Sequence, residues 1–240
     1  MGFEFYEKGV TGARLPHPSI SLSLFLVVEE ALCMAWGYLR NRPRPGFNLL
    51  SATENVITQE LYEVLYDKIF NKGIVDGFDR QLFTVVTRES KVRNFDGAKL
   101  DKMPDILIGL AGRLNVFRLS QDWLFIECKP VDSGHSAGVH YCAKGIIRFV
   151  RGEYAWAMTS ALMIGYIRDE YTITPKLADA LKKRKKEIPT TAFPFPCQRS
   201  KPGNNNEVIH ITQHSRTFAY VETGLQAPAI TLRHLWLRRG

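Results

Sequence analysis

The stretch Trp123-Leu124-Phe125-Ile126-Glu127-Cys128-Lys129-Pro130 sets an acid and a base two positions apart in an otherwise apolar run. In a β-strand, residues i and i+2 project to the same face, so Glu127 and Lys129 point the same way. Burying two charges that have no task is costly. Met103-Pro104-Asp105-Ile106-Leu107-Ile108 is a second apolar strand, headed by a carboxylate. Glu127 follows Asp105 by 22 residues, room for two neighbouring strands and a loop. Two carboxylates and a lysine at one strand edge suit a divalent cation and an activated water.

The elements that must position these groups are legible from periodicity. Ser21 to about Leu39 reads as a helix, with Leu24, Val27, Val28, Ala31 and Leu32 on one face. Asn41-Arg42-Pro43-Arg44-Pro45-Gly46 is a connector. A second helix is expected from about Thr53 to Phe70, capped by Ser51 or Thr53, with an apolar stripe through Val56, Ile57, Leu61, Val64, Leu65, Ile69 and Phe70. Leu82 to Thr87, Asp105 to Leu110 and Trp123 to Val131 read as three strands of an antiparallel meander. A loop over Asp132 to Gly138 leads into a helix from about His140 to Met158, and Ala161 to Arg168 is a further strand. A short charged helix from about Pro175 to Lys186 follows, then a loop from Pro189 to Asn206, with last strands near Val208–Thr212 and Ile230–Leu237. Residues 1–19 read as irregular, and no internal repeat is present.

The order helix, three strands, helix, strand, together with Pro104-Asp105 and Glu127-Cys128-Lys129, resembles the PD-(D/E)XK, or restriction-endonuclease-like, nuclease superfamily. The resemblance covers roughly residues 50–170. It implies an α/β fold with that core, an N-terminal helical extension over 1–45, a nuclease domain over 46–240 and peripheral C-terminal strands. It also implies Mg²⁺, for which Mn²⁺ can substitute, held by Asp105, Glu127 and the backbone carbonyl of Cys128. Lys129 would orient the attacking water or help to deprotonate it. A bare Glu-x-Lys carries little information, since Glu89-Ser90-Lys91 repeats the pattern and Asp67 even precedes it by 22 residues. Asp67 falls on an expected helix and Glu89 at a polar strand end, so only Asp105, Glu127 and Lys129 have every member on an apolar strand.

The superfamily often adds an acid from the first core helix. Glu54, in Glu54-Asn-Val-Ile-Thr58-Gln-Glu-Leu61, is preferred for this role over Glu60, which reads as a solvated helix residue. A carboxylate at Glu54 is equally explained by the helix dipole. On the helix after the active strand, His140, Lys144 and Arg148 share an i, i+4 face, and Lys144 is the chosen site contact. The Gln-x-x-x-Tyr motif that some members carry there is missing. Gly145-Ile-Ile-Arg148-Phe149-Val-Arg-Gly152-Glu-Tyr154-Ala, Ile164-Gly165-Tyr166, Gln213-His214-Ser215-Arg216 and Ile230-Thr-Leu-Arg-His234-Leu235-Trp236-Leu237 resemble runs seen in nucleases of prokaryotic antiviral defence.

Composition narrows the partners. Lys and Arg number 32 against 24 Asp and Glu, a formal charge of +8, which permits a polyanionic partner such as nucleic acid. Lys182-Lys183-Arg184-Lys185-Lys186 is either a phosphate contact or the solvated end of a helix. The four cysteines, Cys33, Cys128, Cys142 and Cys197, form no CxxC pair, so they read as core thiols in a reducing compartment rather than zinc ligands. His135 and His140 lack a third ligand at a recognisable spacing. No Walker A loop, Gly-x-Gly-x-x-Gly or Gly-x-Ser-x-Gly is present, which disfavours ATP, dinucleotide and serine-hydrolase chemistry. The N-terminus shows no signal peptide, and the apolar run from Ile20 to Trp36, interrupted by Glu29 and Glu30, reads as too short and too charged to span a bilayer. A cytoplasmic protein is expected, with no membrane contact.

Two functions follow. One is a metal-dependent nuclease acting on DNA more than RNA, as a standalone defence effector or as one subunit beside a sensor or motor protein that supplies recognition; double-strand cutting by one site per chain would favour a homodimer. The other is a catalytically inactive nuclease-like module that binds nucleic acid or a protein. A third account makes Glu127 and Lys129 a structural ion pair.

Overall fold

The computed structural model describes residues 14–168, 170–197 and 208–240. The parts of the expected irregular N-terminus and of the 189–206 loop that fall on 1–13 and 198–206 lie outside the described residues. The elements are α1 (Leu22–Asn41), α2 (Glu54–Glu63, continued by a π-helical stretch Val64–Phe70), β1 (Phe83–Arg88), β2 (Ile106–Leu110) and β3 (Trp123–Val131). A crossover helix follows, π-helical over Ala137–Ile146 and then α3 (Ile147–Val150). Last come β4 (Ser160–Ile167), α4 (Ile173–Lys183), β5 (Thr190–Pro196), β6 (His210–His214) and β7 (Ile230–Arg238).

The strands form one mixed sheet in the order β1-β2-β3-β4-β7-β6-β5. The pairs β1/β2, β2/β3, β6/β7 and β5/β6 are antiparallel, whereas β3/β4 and β4/β7 are parallel. Parallel strands are covered on both faces and so read as continuous apolar runs, and β4 is buried at every position. The covers are different. Trp36 of α1 stacks on Tyr166 of β4 at 5.6 Å, and the Tyr166 hydroxyl meets Thr58 Oγ1 of α2 at 3.0 Å. Strand alternation turns Glu127, Lys129 and their neighbour Met163 the other way, toward Gly145 of the crossover helix.

Several sequence expectations change. The C-terminal strands are not peripheral. β7 lies inside the sheet between β4 and β6, because Ile230–Arg238 is apolar enough to be covered on both sides. The segment from Thr190 to Pro196, expected to be loop, is edge strand β5, where Pro194 and Pro196 are tolerated because an edge strand has unpaired N–H positions. The crossover helix starts at Ala137 with Ser136 as its cap and stops at Val150 rather than Met158. Gly152 takes φ +66, a left-handed turn just past the helix end. Finally, α1 has 20 residues and is long and apolar enough by composition to cross a membrane. Here it buries Val28, Ala31, Leu32, Ala35 and Trp36 in the same core as β3 and β4. Its Glu29 is buried against Arg233 of β7, with Arg233 Nη2 2.9 Å from Oε2.

Candidate active site

Asp105 sits one residue before β2, whose Ile106 pairs with Ile126 of β3. That register brings its carboxylate to β3, and Asp105 Oδ2 accepts from the Cys128 N–H at 2.6 Å. From β3, Lys129 sends its ammonium to a cluster of oxygens. Nζ is 2.6 Å from the Cys128 carbonyl, 2.8 Å from Glu54 Oε1, 2.9 Å from Glu127 Oε1 and 3.4 Å from Asp105 Oδ2. Oxygens from α2, the start of β2 and β3 thus surround one nitrogen. Their proximity needs close packing of the covering helix. Gly145 lies over the Lys129 and Glu127 stems: a Cβ there would meet Met163 Cε at 2.7 Å and make ordinary contacts with Lys129 Cγ at 3.4 Å and Glu127 Cγ at 3.7 Å.

Glu127 is the most enclosed of the acids, with no exposed surface. Its Oε2 accepts from the Tyr154 hydroxyl. Its Oε1 has cations nearby, Lys129 Nζ and, at 3.4 Å, Arg148 Nη1, but no well-formed hydrogen bond. Burial, and then the charge of Asp105, push the Glu127 carboxyl up to about 7, against the opposing pull of Lys129, Arg148 and Tyr154. Burial alone would lower the Lys129 ammonium, but Glu127, Asp105 and Glu54 outweigh it and hold the group firmly protonated. The Cys128 thiol is raised far out of reach by burial, so Cys128 offers the site its backbone, not its sulfur.

The structure therefore brings together Glu54, Asp105, Glu127, Lys129 and the Cys128 carbonyl. Lys144 is exposed and forms no ion pair with the three acids. The π-helical i→i−5 bonding of Ala137–Ile146 shifts the face relative to an α-helix, so Gly145 lies over the stems and Arg148 reaches Glu127. Arg148 shares the face marked in the sequence, whereas Tyr154 stands there only within the run that resembles defence nucleases, and its contact with Glu127 depends on the turn at Gly152. Glu60 is not solvated. It is buried and pairs with Arg44, away from the cluster. Glu89 of the second Glu-x-Lys pairs with Arg88.

The other marked groups have partners outside this cluster, although His140 also feels the charge of Glu54. His135 Nδ1 meets Asp132 Oδ1 at 2.8 Å, and its ring lies edge-on to His140 at 4.9 Å. Lys182 and Arg184 of the basic run pair locally with Asp179 and Glu187. Among the described residues, no three His, Cys, Asp or Glu side chains stand as a preformed metal cage, and the Lys129 ammonium sits among the oxygens. The donors themselves suit a hard divalent cation, being all oxygen, and Glu127 Oε1 is a buried acceptor without a hydrogen bond.

Comparison with known proteins gives no match, whether to a family model, a curated protein or a solved structure.

Proposed function

We propose that the chain is a metal-dependent nuclease of restriction-endonuclease-like type that hydrolyses phosphodiester bonds, in DNA before RNA. The observation that carries this reading is the convergence of Glu54, Asp105, Glu127 and the Cys128 carbonyl on one cationic point. The helix, three-strand meander, helix and parallel strand around it agree with the reading. Asp105, Glu127 and the Cys128 carbonyl would hold Mg²⁺ or Mn²⁺. Such an ion, when bound, polarises the phosphate and acidifies the water that attacks it. Lys129 orients that water and offsets the negative charge that develops on phosphorus oxygens. Arg148 adds a second positive charge beside Glu127.

The net positive charge suits a polyanionic substrate. A role in prokaryotic antiviral defence, in the cytoplasm and beside a protein that supplies recognition, fits the sequence runs described above, and a homodimer would provide paired cuts. One observation favours a non-catalytic alternative: Lys129 lies within ion-pair distance of all three carboxylates, as in a structural ion cluster. The deciding experiment is plasmid cleavage with Mg²⁺ or Mn²⁺ by the wild type, Asp105→Ala and Lys129→Ala. Cutting that both substitutions abolish is the expected result. Cutting that survives both moves the site elsewhere, and no cutting together with no stabilisation by metal favours the binding module.

A further inference from the structure

Tyr154 is the group that fixes Glu127. Its ring is fully buried. It lies parallel to Phe125 of β3, 6.2 Å between centroids and 1° between planes, and edge-on to Phe149 of α3 at 5.0 Å. Held between these rings, the phenol donates its hydroxyl proton to Glu127 Oε2, with the Arg148 guanidinium as a further polar neighbour. The Arg148 guanidinium lies 6.0 Å over the same ring while approaching Oε1.

The backbone that delivers Tyr154 is built for the purpose from distant parts of the chain. Gly152 at φ +66 and Ala155 at φ +52 bracket it, and Ala155 is one of the few non-glycine residues in the left-handed region. Such a conformation persists only where the surroundings enforce it. Arg216, between β6 and β7 and 5% exposed, enforces it here. Its Nη1 donates to the carbonyls of Trp156 at 2.7 Å and Ala155 at 3.3 Å, and its Nη2 donates to that of Met158. Gln226 then holds the Arg216 and Phe218 carbonyls at 2.9 and 2.8 Å. On the other side Lys102 pairs with Glu153 at 2.8 Å, and Phe95 N–H reaches the Gly152 carbonyl at 3.0 Å. A second small core of Trp156, Ala157, Phe218, Tyr220 and Ala227 fills the space beneath.

We infer that Tyr154 is a positioning residue for the candidate metal site: held in the Arg216-braced turn, it ties down Glu127 Oε2 and leaves Oε1 as the oxygen presented to a cation. The inference rests on the nuclease reading. Outer partners that orient a metal-binding carboxylate are worth about 10–100-fold in metal affinity.

The test compares wild type, Tyr154→Phe and Tyr220→Phe by Mn²⁺ calorimetry and by plasmid cleavage across Mn²⁺ concentrations. Tyr220 carries another buried hydroxyl, in the second core and away from Glu127. The expected result is Mn²⁺ binding about tenfold or more weaker in Tyr154→Phe. Its cleavage rate at saturating Mn²⁺ should remain near wild type, and Tyr220→Phe should be unchanged. Wild-type affinity in Tyr154→Phe overturns the inference and leaves the nuclease reading intact. Equal loss in both tyrosine variants also overturns it, because general loosening then explains the effect. A wild type that neither binds Mn²⁺ nor cuts removes the nuclease reading itself, and the inference with it. If Tyr154→Phe does not fold, Arg216→Lys loosens the turn from outside the site and must show the same weakening.

Discussion

Glu127→Gln separates a functional charge cluster from a structural ion pair. Glutamine keeps the shape of the side chain and imitates the neutral acid. In the folded chain the Glu127 carboxyl sits at about 7 rather than its ordinary 4.5. Between those values the native state holds a proton that the unfolded state has released. Stability therefore falls as pH rises from about 4.5 to about 7 and stays at the lower level above it. The gap between 4.5 and about 7, at about 1.4 kcal/mol per pKa unit, corresponds to about 3 kcal/mol when fully developed. Glutamine never ionises, so Glu127→Gln should match wild type below pH 4.5 and exceed it by about 3 kcal/mol at pH 8. For a chain of this size, that is about 6–12 °C in melting temperature. Lys129 remains compensated in the variant by Glu54 and Asp105.

The assay is thermal or urea unfolding without metal from pH 4 to pH 9, with cleavage measured in parallel. The expected variant is more stable at high pH and unable to cut. A variant less stable than wild type at pH 8 would refute the reasoning. The pairs with Lys129 and Arg148 would then outweigh the burial of the charge, and the cluster would be there for the fold. Removing one partner of a structural buried pair costs about 3–5 kcal/mol, opposite in sign to the expectation here.

Two further substitutions probe the surroundings. Gly145→Ala puts a Cβ 2.7 Å from Met163 Cε, the loose end of a flexible side chain, so denaturant unfolding should show a change within about 1 kcal/mol. Gly145→Val must push into the stems of Lys129 and Glu127, and should lose about 1–3 kcal/mol together with cleavage. Behind the crossover helix, Thr212 Oγ1 lies 2.7 Å from both His214 Nε2 and His234 Nε2. Burial holds both rings neutral, with His214 lowered to about 3. Thr212→Val should cost about 1–3 kcal/mol for each ring nitrogen left unpaired, with Mn²⁺ affinity unchanged.

The strands that carry the site were the legible part of the sequence. Trp123–Val131 is nine residues of apolar run with two charges, and it folds with those bounds. Asp105 could be tied to it because an antiparallel meander fixes which neighbour comes next. Glu54 could be chosen over Glu60 only through the resemblance. In the fold, Glu54 reaches Lys129 and Glu60 turns to Arg44. What stayed hidden was non-local. Lys144 was chosen on an α-helical face, and a π-helix has a different face. Tyr154 reaches Glu127 because Arg216, 62 residues later, braces its turn. β5 carries two prolines that local rules read as loop, and its strand character depends on β6 beside it.

The position of the Lys129 ammonium shapes how the proposed chemistry must proceed. It sits where the oxygens converge, and a divalent cation cannot share that centre with it, since like charges a few ångströms apart repel strongly in a dry site. The three acids are not equivalent in this respect. Glu127 is held from behind by Tyr154, and Asp105 is tied to the β3 backbone through the Cys128 N–H. Glu54 has the most exposed side chain of the three and stands at the first turn of α2, where the helix dipole favours its charge without any cation. The two fixed acids and the Cys128 carbonyl are thus the oxygens suited to a metal. Glu54 is suited to keep the lysine close after the centre is vacated. Under the proposed reading, Lys129 would have to move off the centre toward Glu54 for Asp105, Glu127 and the Cys128 carbonyl to hold a metal, and from there it would offset charge on a phosphate.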